Sequence, residues 1–145
     1  KESIAETIEN NVRQKIIRDQ LLDPAFFEEM SALLTEIIRE RKEGALAYEA
    51  YLAKIAALAR SVNEGRTDKT PERLNTPALR ALYNNLDKDE TRALALDQAI
   101  RYGRKADWKG NLQKENELKM EMYKVLGDVN EVERMFEIVK QQAEY

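Results

Sequence analysis

The 145-residue sequence contains no cysteine and no histidine. It therefore lacks the common nucleophile–base pairs, His-rich zinc sites and the Glu-x-x-His di-iron pattern of helix bundles. A Gly-x-x-x-x-Gly-Lys-Ser/Thr loop for nucleotide phosphates is also missing. These absences exclude most enzyme classes, so we expect no catalytic residues, metal, cofactor or small-molecule substrate within this chain.

Long apolar runs are missing as well. No stretch approaches the roughly 18 apolar residues that a membrane span needs, and no secretory signal is present. Together with the lack of cysteine, this predicts a reducing compartment, which we take to be the cytoplasm, and no membrane partner. The chain starts at Lys1 and enters helical periodicity at once, which indicates a piece of a longer protein.

Alternation with a period of two is found nowhere, whereas apolar residues recur at helical spacing throughout. The sequence thus predicts an all-α fold of about six or seven helices. A capping box of Ser3 and Glu6 opens a first helix that ends near Asp19, with Ile4, Ile8, Val12 and Ile16 on one face. Asp23 and Pro24 open the second helix, and Gly44 caps it. Its expected core residues are Phe26, Phe27, Met30, Leu33, Leu34, Ile37 and Ile38.

A third helix over about 47–62 follows after a short connection, which predicts an antiparallel helical hairpin near the N-terminus. Its inward residues are expected to be Tyr48, Tyr51, Leu52, Ile55, Leu58 and Val62. The stretch 63–76 then loses periodicity and gains turn-forming residues. We interpret it as a loop that divides two packed halves of a single domain, 1–145.

Four more helices are predicted in the second half. The fourth runs from Pro77 to about Asn85, and the fifth opens with Asp87 and Glu90 and ends near Gly103. The sixth starts at Asn111, has Gly127 as its C-cap and is expected to bury Leu112, Leu118, Met122, Val125 and Leu126. The seventh begins with a capping box of Asp128 and Glu131, reaches about Gln142 and is expected to bury Val132, Met135, Phe136 and Val139.

Two groups of acids could in principle form a carboxylate site: Glu115, Glu117 and Glu121, and Asp87, Asp89 and Glu90. They lie at helix starts or alternate with Lys at helical spacing, which is typical of caps and solvent-facing pairs. We therefore assign them structural roles.

The segment 101–111, which we call the basic segment, is the stretch best suited to contact a partner. It holds the only Trp, Trp108, and one acid, Asp107, together with four cations. The candidate partner- or DNA-binding residues are Arg101, Arg104, Lys105, Trp108, Lys109 and Asn111. Arg and Trp often anchor interfaces, but a lone Trp between helix ends is also typical of a core residue, and a basic run is often only a solvated surface.

Charge is distributed unevenly along the chain. Residues 1–65 and 111–145 are each net −3, whereas 66–110 are net +3. Binding to nucleic acid needs cations that outnumber the local carboxylates, so only the middle third is eligible, and we expect weak DNA binding by this chain alone.

Several stretches resemble the C-terminal region of the motor (restriction) subunit of type I restriction-modification enzymes. They are residues 4–17, 23–31, 41–46, Tyr48, 51–52, 76–83, 107–111 and 139–145. The resemblance follows the order of that region over nearly the whole chain. Ala47, where a polar helix-starting residue is expected, and the loop 64–73 depart from it.

The resemblance implies a parent chain that is an ATP-dependent type I site-specific deoxyribonuclease, with ATP and Mg²⁺ bound in other domains. It implies that this chain is a non-catalytic assembly domain that docks the translocase onto the methyltransferase and specificity subunits. The alternative is a helical module that guides translocated duplex DNA along the basic segment.

Overall fold

The computed structural model describes residues 2–145, and over these residues the chain is all-α with seven helices and no strand. The helices are α1 Glu2–Asp19, α2 Pro24–Lys42, α3 Tyr48–Glu64, α4 Pro77–Asn85, α5 Glu90–Gly103, α6 Leu112–Leu126 and α7 Val129–Gln141. A 3₁₀ turn, Gln20–Leu22, follows α1. The all-α prediction is confirmed.

The chain divides into two compact units. Unit 1 is Lys1–Gln20 with Pro24–Lys69, and unit 2 is Leu21–Asp23 with Thr70–Tyr145. The main boundary, between Lys69 and Thr70, falls inside the predicted loop 63–76. Buried apolar side chains likewise form two clusters, one from the helices of each unit.

Unit 1 contains α1, α2 and α3. The pair α2 and α3 is joined by five residues, and Glu40 near the end of α2 pairs with Lys54 in the first half of α3. These are the contacts of the predicted antiparallel hairpin. Gly44 has a φ of 72° and ends α2 as predicted, with the Ala45 N–H donating to the Glu40 oxygen at 2.9 Å.

The core of unit 1 confirms most of the predicted inward residues of α2 and α3, but three predictions need correction. Leu33 is 46% exposed, and Ile4 on α1 is 57% exposed. Ser3 lies inside α1 and is not its cap. The buried face of α1 is formed by Ala5, Glu9, Val12 and Ile16, so Val12 and Ile16 lie on it as predicted, whereas Ala5 and Glu9 replace Ile4 and Ile8.

Glu9 is a buried carboxylate that the sequence did not identify, and it is 4% exposed. The Arg41 guanidinium donates to both of its oxygens, at 2.6 and 2.9 Å, and the Tyr51 hydroxyl donates to it at 3.0 Å. Burial and the hydrogen bond to Glu9 raise the pKa of Tyr51 to about 12. This network joins one residue from each helix of unit 1, and its satisfied hydrogen bonds make the buried charge tolerable.

Unit 2 contains α4 to α7. Thr76, Asn111 and the predicted cap Asp128 each accept a first-turn backbone N–H. Helix α5 differs, because its cap is Asp89, while Asp87 adopts a left-handed φ of 53° in the preceding turn. Leu112 is 72% exposed, which corrects its assignment to the core, whereas Leu118, Met122 and Leu126 are buried.

Candidate functional site

The basic segment 101–111 runs from the end of α5 to the N-cap of α6 in unit 2. Gly103 lies against α6 so closely that a Cβ there would stand 2.8 Å from Cγ of Glu121. Asp107 and Gly110 both have positive φ, 56° and 87°, and turn the chain toward α6. The segment is therefore a tight, well-anchored connection.

Trp108 points into the core of unit 2 and is 3% exposed. Its ring packs edge-on against Phe136 with 5.7 Å between the centroids. Its Nε1–H donates to the backbone oxygen of Tyr145 at 3.0 Å. Since the indole N–H has a partner, the whole side chain can be buried without leaving a polar group unsatisfied. From the sequence, Trp108 could belong either to the core or to an interface. The structure places it in the core.

Three of the four cations of the basic segment bind the last residues of the chain. Arg101 pairs with Asp97 at 3.1 Å and with Glu144 at 2.7 Å. Arg104 donates to the backbone oxygen of Glu144 at 2.6 Å, and Lys109 donates to that of Gln142 at 2.6 Å. These side chains hold the segment 142–145 in place.

The segment 142–145 is itself well anchored, which the sequence did not indicate. Tyr145 is buried and its hydroxyl donates to Asp97, and burial, followed by this hydrogen bond, raises the pKa of Tyr145. Gln142 donates to the backbone oxygen of Leu22 at 2.7 Å, and Glu144 accepts from the Ala78 N–H at 2.8 Å. The closing residues thus complete the core of unit 2.

The other two candidates lie on the surface. Lys105 has a side chain 57% exposed and pairs with Glu117 at 3.4 Å. Asn111 caps α6 by accepting from the Lys114 N–H at 3.1 Å. Of the six candidate residues, only Lys105 presents an exposed charge without also fixing the local backbone or the segment 142–145.

An apolar surface lies beside Lys105. It is formed by four exposed side chains, which are Tyr102 (90% exposed), Met120 (68%), Tyr123 (45%) and Val129 (64%). We call these four residues the α6 face. Two hollows of about 340 and 380 Å³ run along it, and they adjoin at Met120, which lines both of them.

Charges around the α6 face are balanced in pairs. Lys105 pairs with Glu117, Lys119 pairs with Glu133 at 3.0 Å, and Lys124 pairs with Glu121 at 3.0 Å. Each pair is at least partly exposed, so it contributes little to stability. The pairs nevertheless leave the rim of the apolar face close to neutral.

From the sequence, Tyr102 was considered only as part of the basic segment 101–111. Met120, Tyr123 and Val129 were not identified as candidate contact residues. A signal was available, because Met120 and Tyr123 are three residues apart and fall outside the stripe of Leu118, Met122 and Leu126. Two apolar residues at that spacing form a second face on one helix.

The acids considered as a carboxylate site have ordinary partners. Glu115 accepts from the Gly110 N–H at 2.8 Å, and this hydrogen bond, together with Lys140, lowers its pKa. Asp89 caps α5, and Glu90 pairs with Arg73 at 2.6 Å. Among residues 2–145 no group of three or more acids is placed to hold a metal ion, and no helix in that range could span a membrane.

Comparison with known proteins finds no matching family model, no matching curated protein and no matching solved structure. The resemblance to the type I motor subunit is therefore still a hypothesis that rests on the residues quoted for it.

Proposed function

We propose that this chain is a non-catalytic docking module that binds a partner protein through the α6 face. The proposal rests on the exposure of Tyr102, Met120, Tyr123 and Val129 along two hollows that adjoin at Met120. Tyr and Met are enriched where protein interfaces are fully buried, and charged residues are depleted there. A contiguous apolar surface with a polar rim is typical of a protein interaction site.

The charges favour a protein over nucleic acid as the partner. A duplex needs cations that exceed the local carboxylates, because affinity comes largely from counterion release. Arg101, Arg104 and Lys109 are instead bound to the segment 142–145, and Lys105 shares its charge with Glu117. An apolar protein surface fits the near-neutral rim better than phosphate does.

The resemblance supplies the identity of the partner. We propose the methyltransferase and specificity subunits of a type I restriction-modification complex, with this chain attaching the ATP-dependent translocase and nuclease to them. In that setting ATP and Mg²⁺ act in other domains of the parent chain, and the complex works in the cytoplasm.

Binding of the purified chain to a methyltransferase–specificity core, measured by biolayer interferometry after nuclease digestion, tests the proposal. Met120→Glu places a charge at the centre of the α6 face, so we expect the affinity to fall at least tenfold. Leu112→Glu is the matched control, because Leu112 is equally exposed on the same helix and lines neither hollow. Its affinity should stay within twofold of that of the unmodified chain.

Equal binding by Met120→Glu and the unmodified chain would refute the α6 face as the docking surface. The salt dependence of binding to duplex DNA tests the alternative function, in which the basic segment guides DNA. If the basic segment guides DNA, affinity falls linearly with log salt at a slope of about −0.9 per phosphate contact, and Lys105→Gln lowers the magnitude of that slope by about one. We expect no such dependence on Lys105.

A further inference from the structure

Unit 1 carries a groove that the proposed function does not use. It lies between α2 and α3, has a volume of about 500 Å³ and is bordered at one end by residues 67–69. Met30, Ile37 and Leu58 form its apolar floor, and all three are buried. Leu33 stands in the groove with 46% of its surface exposed. An exposed leucine above a buried apolar floor offers a contact for an apolar side chain from outside.

The shape of the groove suits a helix. The α2 wall carries Glu29, Glu36 and Glu40, and the α3 wall includes the small residues Ala57 and Ser61. Glu40 lies eleven positions after Glu29, which at 1.5 Å per residue corresponds to about 16 Å. A helix of about three turns would span that length, and small side chains on one wall would let its backbone approach.

The lining of the groove is acidic. It holds four carboxylates, Glu29, Glu36, Glu40 and Asp68, against two ammonium groups, Lys54 and Lys69. By residue type the lining therefore carries two more negative than positive charges, and Glu40 pairs with Lys54 at 3.3 Å. Arg39, which lies outside the lining, pairs with both Glu36 and Glu43, so one guanidinium is shared between two carboxylates.

We propose that this groove binds a basic amphipathic helix of a partner protein. Apolar residues of that helix at positions i, i+3 or i+4, and i+7 would contact Leu33 and the floor. Lysine or arginine residues beside them would approach Glu36 and Asp68. The complementary charges raise the rate of encounter and favour a basic helix over an acidic one. Nucleic acid is disfavoured, since its phosphates would face these carboxylates.

The probe is a fluorescein-labelled, 15-residue amphipathic peptide of leucine and lysine, titrated with the full chain and followed by fluorescence anisotropy. Two further peptides test the apolar face and the positive charge separately. The first has the same composition in an order that forms no apolar face, and the second has glutamate in place of lysine. We expect the probe peptide to bind at least tenfold more tightly than either of these two.

Leu33→Asp tests the location, because it puts a charge above the floor. We expect it to weaken binding of the leucine–lysine peptide at least tenfold. Ile17→Asp is the matched control, since Ile17 is 65% exposed in unit 1 and does not line the groove. Thermal unfolding of both variants verifies that they are folded. Met120→Glu, which disables the α6 face, should leave peptide binding unchanged, so the two sites can fail independently.

Equal weakening by Ile17→Asp and Leu33→Asp would overturn the proposed location. Equal binding of the peptide without an apolar face would reduce the effect to general charge attraction and would also overturn the proposal. Sedimentation equilibrium tests the other possible occupant of the groove, which is a second copy of this chain. If the chain dimerises and Leu33→Asp makes it monomeric, the groove belongs to a second copy and not to a basic helix.

Discussion

The indole Nε1–H of Trp108 donates to the backbone oxygen of Tyr145 across 3.0 Å, although the two residues are 37 positions apart along the chain. This hydrogen bond joins the basic segment to the segment 142–145, which Arg104 and Lys109 also hold. The most conspicuous cations of the sequence therefore stabilise unit 2, and the surface left for a partner is the apolar α6 face.

Trp108 is predicted to contribute to stability and not to partner binding. Trp108→Ala should lower the free energy of unfolding by about 3–5 kcal/mol, because a buried aromatic side chain is lost and a cavity remains. Trp108→Phe should cost less, since it keeps most of the ring and loses chiefly the hydrogen bond to Tyr145. Urea denaturation gives both values. A folded Trp108→Ala variant with unchanged stability and weaker partner binding would contradict this.

Leu34 and Leu33 are adjacent on α2 and provide a matched pair. Leu34 is 2% exposed, so Leu34→Ala should lower the free energy of unfolding by about 2–5 kcal/mol. Leu33 is 46% exposed, and Leu33→Ala should stay within about 0.5 kcal/mol of the unmodified chain. Chemical denaturation of the two variants makes the comparison. Similar losses for both would mean that Leu33 is part of the core.

The buried pair of Glu9 and Arg41 is predicted to be costly to break. Arg41→Met leaves the Glu9 carboxylate buried without its guanidinium, so the free energy of unfolding should fall by about 3–5 kcal/mol. Adding Glu9→Gln to Arg41→Met removes that charge, and part of the loss should be recovered. Denaturation of the two single variants and the double variant tests this, with the exposed Glu6→Gln as control. Additive losses would argue against the coupling.

Lowering the pH should reduce the stability of unit 2, partly because of Glu115. The Gly110 N–H, followed by Lys140, lowers its pKa below the ordinary 4.5. A carboxyl group with a lowered folded pKa contributes stability above its unfolded pKa and loses that contribution as the pH falls through the folded value. The unmodified chain should therefore melt at a higher temperature than Glu115→Gln near pH 7, and the difference should shrink below pH 4.5. A difference that stays constant for Glu115→Gln over this pH range would contradict the assignment.

Local signals in the sequence determined the helices. A cap such as Asn111 or Asp128 acts on backbone N–H groups within three residues, and Gly44 and Gly127 end their helices through their own left-handed φ. The apolar stripe of α7 was also predicted correctly, because one helical period decides which residues lie together. All of these interactions act within a few positions along the chain, so the order of residues is sufficient to find them.

The tertiary structure determined which helix faces are covered, and which part of the chain packs on each of them. The sequence could not separate Leu33 from Leu34, or Leu112 from Leu118, because a helical stripe has no sharp edge until neighbouring helices pack on it. Nor could it assign Arg104 and Trp108 to residues 144 and 145, since those partners lie 37 to 41 positions away and are brought together only by the packing of α5, α6 and α7. Periodicity fixes which residues share a face, but the partner of that face depends on distant parts of the chain.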